Sequence, residues 1–244
     1  SFDTFLVNFN TSYSSSKLGV ATVFMNYRDV NYSYENLADL NNDYFYESIN
    51  DENISIGLDY IFEKDKYSID FQYESVLSGD VEGSLLKAGL LLNINSDSNI
   101  KLSYFKTDNS PDYNHIVNNS SYSHYNWNNV FNNINTTRYI LNFNSDKLFK
   151  FNFEFNKISN YTYFSKDVDG FVIPTQESGN IGTFKMNISK KLSFKKFALD
   201  NTVQFQKVGD ESLGIINIPE LILRNTFYYQ NELFNKALFL QTGF

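Results

Sequence analysis

Residues 67–74 read Tyr67-Ser68-Ile69-Asp70-Phe71-Gln72-Tyr73-Glu74, and residues 149–156 read Phe149-Lys150-Phe151-Asn152-Phe153-Glu154-Phe155-Asn156. In both stretches every second residue is apolar and the intervening ones are polar or charged. Side chains of a β-strand alternate between its two faces, so each stretch makes a strand with one greasy and one wet face. Working outward, the same rhythm carries apolar sets at Phe5-Val7-Phe9, Ile54-Ile56-Leu58-Tyr60-Phe62, Leu86-Ala88-Leu90-Leu92-Ile94 and Ile100-Leu102-Tyr104. It continues at Tyr139-Leu141-Phe143, Phe184-Met186-Ile188, Phe197-Leu199-Val203-Phe205, Leu221-Leu223-Phe227-Tyr229 and Leu238-Leu240. Leu18–Tyr27 also reads as a strand, but both of its faces are fairly apolar and its register stays ambiguous. No helical pattern of comparable quality appears. About twelve such strands predict an all-β protein, an antiparallel up-and-down transmembrane β-barrel with lipid outside and water inside, and residues 1–244 form one barrel domain.

Composition agrees with two-faced strands. The 244 residues include 24 Phe and 18 Tyr, yet the mean hydropathy is −0.38. Alternating faces joined by wet loops give that combination. No apolar run approaches the ~18 residues of a membrane-crossing helix, and strands do not need one. There is no cysteine, which removes disulfides and thiolate metal sites. The net charge of −8 argues against nucleic acid as a partner.

The connections alternate in length. Short polar ones are Ser14–Lys17, Glu63–Lys66, Asn95–Asn99, Asn144–Lys147, Ser189–Lys196 and Asn231–Lys236; longer ones are Arg28–Asn53, Ser75–Ser84, Asp108–Asn135, Lys157–Asn180 and Gly209–Pro219. Short turns on one side and long loops on the other are the habit of outer-membrane barrels. All three prolines fall in long connections, as expected if the strands are laddered on both edges. With short turns in the periplasm, the last strand runs outward and places Phe244 at the outer face. The expectation is therefore a piece of a larger barrel, open at both ends; the alternative is a true terminus at Phe244 and one hairpin miscounted. The chain starts at Ser1 without a signal peptide, so the N-terminus reads as processed or truncated.

From Phe197 the text grows more specific: FALDNTVQFQKV, then IPELILRNTFYYQNELFNKALFLQTGF. The Ile218-Pro219 step, the Asn225–Gln230 strand, Leu233-Phe234 with Lys236, and Ala237–Gly243 resemble the conserved stretch of the putative porin family of Bacteroidota. The resemblance covers Phe197–Phe244. It implies a large outer-membrane barrel with further strands, bathed by outer-membrane lipid and passing small polar solutes.

On the wet face the alternation places Asp59, Asp70, Glu74, Lys87, Lys101, Arg138, Lys150, Glu154, Lys185, Asp200 and Arg224. They read either as a pore lining of mixed charge or as cross-strand ion pairs that solvate a lumen. His115 and His124 share one long connection and read as exposed loop residues. Asp167-Val168-Asp169-Gly170 resembles the opening of a calcium loop but lacks its later acidic ligand, and reads better as a turn. Neither histidine lies near a nucleophile motif and no Gly-rich phosphate loop occurs, so no enzymatic activity and no cofactor is expected. Tyr13, Tyr60, Tyr67, Tyr73, Tyr104, Tyr139 and Tyr229, taken as strand-ending residues on the apolar face, read as interfacial girdles. The favoured function is passive diffusion of small hydrophilic solutes through a porin-like channel. The rivals are the barrel of a gated transporter or surface-complex scaffold, and a soluble secreted adhesin of two packed sheets.

Overall fold

The computed structural model describes residues 2–32, 49–79, 82–120, 122, 124–209 and 214–244. Strands form where the period-two pattern runs: β1 (Phe2–Ser15), β2 (Gly19–Tyr32), β3 (Ile49–Lys64), β4 (Tyr67–Ser78), β5 (Gly83–Asn95) and β6 (Ser98–Asn109). After a single helical turn, α1 (Tyr113–Ile116), come the two-residue strands β7 (Val117–Asn118) and β8 (Trp127–Asn128). Then follow β9 (Ile134–Ser145), β10 (Lys150–Ser159), a small hairpin of β11 (Thr162–Lys166) and β12 (Val172–Gln176), β13 (Asn180–Phe194), β14 (Phe197–Val208), β15 (Leu221–Leu233) and β16 (Leu238–Gly243). All but β7, β8, β11 and β12 join one 12-stranded antiparallel meander in chain order. Its edge strands are β1 and β16, and no pairing joins them among the described residues.

The pairing register shows why this sheet has two chemical faces. Ile69, Leu90, Leu102, Leu141, Phe153, Met186, Phe205 and Leu221 lie in one unbroken cross-strand row. The row on the short-turn side is Tyr67, Leu92, Ile100, Phe143, Phe151, Ile188, Val203 and Leu223. On the other side lies Phe71, Ala88, Tyr104, Tyr139, Phe155 and Phe184. Rows two residues apart are about 7 Å apart along the strands. No second sheet covers these rows among the described residues: Leu102, Ile188 and Leu223 are 45, 40 and 60 % exposed. A continuous apolar face of that extent is untenable in water and natural against acyl chains. Among the described residues the two packed sheets of a soluble adhesin do not form.

Aromatic rings mark both borders of the apolar band. Near the short turns, Phe62 meets Tyr67 (centroids 5.9 Å), Phe143 meets Phe149 (5.3 Å) and Phe197 meets Tyr229 (5.4 Å). At the other border Tyr104 packs on Tyr139 (5.2 Å) and Tyr139 on Phe155 (6.5 Å). One row further, Lys106 pairs with Thr137 and Thr137 with Lys157. The tyrosines expected on the apolar face all lie there, but Tyr73, Tyr104 and Tyr139 stand in mid-strand rather than at strand ends. Strands of 12–16 residues exceed the ~10 that a bilayer needs. They run on beyond the tyrosine border toward the long connections.

The register of β2 is now fixed: Val20, Thr22, Phe24, Asn26 and Arg28 face the polar side, Val23 and Met25 the apolar side. Phe24 finds room there because it lies over Gly57, where a Cβ would collide with its ring. Two connections are tighter than the sequence implied. Strand β13 continues to Phe194, leaving Lys195–Lys196 as the turn, with Lys195 at φ 56°. Strand β15 continues to Leu233, and Phe234, Asn235 and Lys236 turn the chain at φ 53°, 53° and 73°. Within the connection read as Arg28–Asn53, residues 28–32 and 49–53 are strand, and 33–48 lie outside the described residues; of Gly209–Pro219, so do 210–213.

Candidate functional site

The polar face carries all of the charged residues singled out from the sequence. Glu74, Gly57 and Leu85 share one row, and Asp59, Gln72, Lys87, Phe105, Arg138 and Asn156 share the next. Asp70, Gly89, Ser103, Ile140, Glu154, Lys185 and Gln206 form another row, and Lys101 lies opposite Leu91 and Asn142. Lys150 lies with Asn144 and Ser189, Asp200 with Lys191 and Thr226, and Arg224 with Thr202.

Part of this charge is spent across strands. Glu154 is only 15 % exposed; its carboxylate meets Lys185 Nζ at 3.1 Å and Arg138 Nε at 3.4 Å, and it accepts from Asn156 Nδ2 at 3.0 Å. Lys101 Nζ lies 3.9 Å from Asp70, whose carboxylate occupies the space above Gly89 that a Cβ would fill. Among the described residues no ion pair ties Asp59, Lys87, Lys150, Asp200 or Arg224. Between the charges run side-chain amides: Asn152 donates to Asn142 at 2.8 Å, Asn144 to Asn99 at 3.2 Å, and Asn8 to Asn26 at 2.6 Å. Such a face presents donors, acceptors and both signs of charge side by side.

A second cluster lies nearer the long connections. Asp51 is fully buried; it meets Arg28 at 3.5 Å and accepts from Asn53 (2.9 Å) and from the Tyr113 hydroxyl (3.2 Å). Tyr113 belongs to α1 and also stacks on Tyr32, centroids 5.6 Å apart. Burial, reinforced by the Asp51 carboxylate, pushes the Tyr113 phenol above its ordinary value of 10, so it stays a donor at neutral pH. The connection after β6 is thus tethered back across the polar face to β2 and β3. Beneath it lies a cavity of about 760 Å³ whose lining includes Phe2, Arg28, Glu74, Pro111, Asp112 and Tyr113. The half-buried Glu74 accepts there from Ser55 (2.6 Å) and Asn26 (2.9 Å).

The same connection docks on the β11–β12 hairpin. His115 stacks on Phe164 at 4.7 Å and His124 on Phe171 at 3.9 Å, while the Gln176 amide bridges the backbone of Asn132 and Asn160. The histidines therefore glue two long connections together rather than hang free in one. Among the described residues no group of His, Cys, Asp and Glu could hold a metal. Asp167 Oδ1 accepts from the amides of Asp169 (3.0 Å) and Phe171 (2.8 Å), and Gly170 sits at φ 87°. That segment is a turn whose first carboxylate is spent on its own backbone.

Arg28, Asp51 and Tyr113 were missed by sequence reasoning. They stand beyond the tyrosine border, where Asp29, Asn31, Asn50 and Glu52 make the opposite face polar too, so the two-step rhythm fades while the strands continue.

The family described as "Putative porin" matches residues 2–244. The chain belongs to this porin family. It is an outer-membrane β-barrel protein, and its residence is the bacterial outer membrane. No curated protein matches the sequence. Among solved structures, the fold is similar to the siderophore receptor PirA from Acinetobacter baumannii, at 10% identity and TM-score 0.61, covering 93% of this chain and 40% of that one. It is also similar to the alcaligin outer-membrane receptor FauA from Bordetella pertussis, at 10% identity and TM-score 0.52, covering 99% and 45%. BauA, the ferric preacinetobactin receptor from Acinetobacter baumannii, aligns at 13% identity and TM-score 0.50, covering 95% and 42%. The porin chain spans less than half the length of these receptors.

Proposed function

We propose that this porin sheet is the wall of a water-filled channel through which small hydrophilic solutes diffuse passively, with no covalent step. The observation that carries the reading is the single register that gathers Asp59, Asp70, Glu74, Lys87, Lys101, Arg138, Lys150, Glu154, Lys185, Asp200 and Arg224 on the face opposite the apolar rows. Mixed charge along the wall sets a transverse field that favours polar and zwitterionic solutes, and side-chain reach sets the size limit. Among the described residues the outer edges of β1 and β16 are unpaired, and in this reading further strands complete the wall from there. Full-length protein in a planar lipid bilayer tests this: steady, unitary, voltage-tolerant conductance steps are expected, and a silent bilayer containing folded protein refutes passive passage.

A second reading, the barrel of a gated transporter, is favoured by one observation. The connection after β6 is tethered across the polar face by Tyr113, so part of the aqueous path is covered. Of the solved barrels of similar fold, one is named a siderophore receptor and another a ferric preacinetobactin receptor. A bilayer that stays closed until the tether is broken in Tyr113→Phe favours this reading over the first.

A further inference from the structure

We propose that the cavity under the returning connection is a binding site for a small organic cation bearing an ammonium group, with Glu74 as its anchoring carboxylate. This rests on the porin reading above and names the solute class that its wall retains. The cavity, about 760 Å³, is roomy enough for a small solute with part of its water shell. Its lining carries three carboxylates, Glu74, Glu82 and Asp112, against one cation, Arg28. The Arg28 guanidinium is already matched by the buried Asp51 carboxylate 3.5 Å away. The formal charge of the lining is therefore negative, which favours a cation over an anion.

The anchor is held in place. Ser55 Oγ and Asn26 Nδ2 both donate to Oε1 of Glu74, at 2.6 and 2.9 Å, and Asn8 Nδ2 donates in turn to Asn26 Oδ1 at 2.6 Å. A carboxylate oriented by two donors on one oxygen offers the other to a ligand without losing its pose. Phe2 and Leu6 of β1 and Tyr113 of the roof supply apolar and ring surface to the lining, which suits the carbon substituents of an ammonium and permits cation–π contact. The roof is fixed by the Tyr113–Asp51 hydrogen bond and the Tyr113–Tyr32 stack, so the site is formed before a ligand arrives. A neutral solute of the same shape gains none of the electrostatic part, and an anion is repelled.

The test uses choline and its neutral isostere 3,3-dimethylbutan-1-ol as probes, with calorimetric titration of the full-length protein in detergent. Heat-modifiable gel migration verifies that each variant is folded. Choline is expected to bind at least 10-fold more tightly than the alcohol, and Glu74→Gln is expected to weaken choline by about 10-fold or more while leaving the alcohol unchanged. Equal affinity for the two probes, or choline binding indifferent to Glu74→Gln, overturns the proposal. If Glu74→Gln fails to fold, the exposed pair Glu82→Gln and Asp112→Asn serves instead: together they must weaken choline several-fold, and no change overturns it. Absence of choline binding in a protein that conducts normally removes the site and leaves the channel standing. Charge-selective binding in a protein that never conducts removes the channel and leaves the site standing.

Discussion

Leu102→Arg places a guanidinium in the middle of three consecutive apolar rows, opposite Leu90 and Leu141. Leu102 is 45 % exposed, so the arginine meets no steric obstacle in the protein; what it meets is the surroundings. The tyrosine border lies one row away at Tyr104, and the turn-side border begins about 7 Å beyond on the other side. A cation at that depth is within the acyl region, with only partial relief from reaching toward the tyrosine row. Charged substitutions on the lipid face of barrels cost about 2–4 kcal/mol at midplane. The neighbouring Ser103→Arg puts the same group on the polar face, in the row of Gly89 and Asp70, where water and a carboxylate receive it. Its expected cost is within about 0.5 kcal/mol of zero, as for other solvated sites. Urea titrations of both variants in phosphatidylcholine vesicles, followed by tryptophan fluorescence, give the difference directly. A gap of at least about 1.5 kcal/mol is expected. Equal costs refute the assignment of acyl chains to one face and water to the other. A larger cost at Ser103 inverts it.

Four other outcomes are expected. Glu154→Ala leaves Lys185 and Arg138 facing each other without their shared carboxylate; it should cost about 1–3 kcal/mol in urea unfolding and shift the reversal potential of the channel toward anions. Gly57→Val drives a side chain into the Phe24 ring and should destabilise by about 1–3 kcal/mol in the same assay, whereas Gly182→Ala, which meets open space, should not. The turn pair Asp97–Lys147 holds the Asp97 carboxyl below 3.8 and the Lys147 ammonium above 10.5, each chiefly through their hydrogen bond. Its contribution is lost on the acid side as pH falls through Asp97's lowered value, and on the basic side as pH rises through Lys147's raised value; an NMR titration of Lys147→Met should return Asp97 toward 3.8. Tyr113, with its phenol raised, stabilises the tethered connection fully below pH 10 and loses that effect as pH climbs through the raised value; absorbance at 295 nm should show a late-ionising fraction, and Tyr113→Phe should lower that fraction by one phenol equivalent.

Sequence by itself determined the twelve strands of the main sheet and, for all of them but β2, which residues share a face. Side-chain alternation is a local property of extended backbone, so Phe149–Asn156 declares its two faces before any partner is known. The charged set on the polar face follows from that parity alone, because antiparallel neighbours conserve it wherever the register is unshifted, as it is at each of these residues. Only the tertiary structure decided three other things. The register of β2 was one, because Phe24 and Val20 are apolar on the wet face and are accommodated by particular neighbours such as Gly57. The extra strand length at Arg28 and Asp51 was another, since beyond the tyrosine border both faces carry polar residues and the two-step rhythm is absent. The last was the tether: Tyr113 reaches Asp51 and Tyr32 from a connection far along the chain. Contacts between loops depend on how the sheet curves and on side-chain shape, which no periodicity encodes.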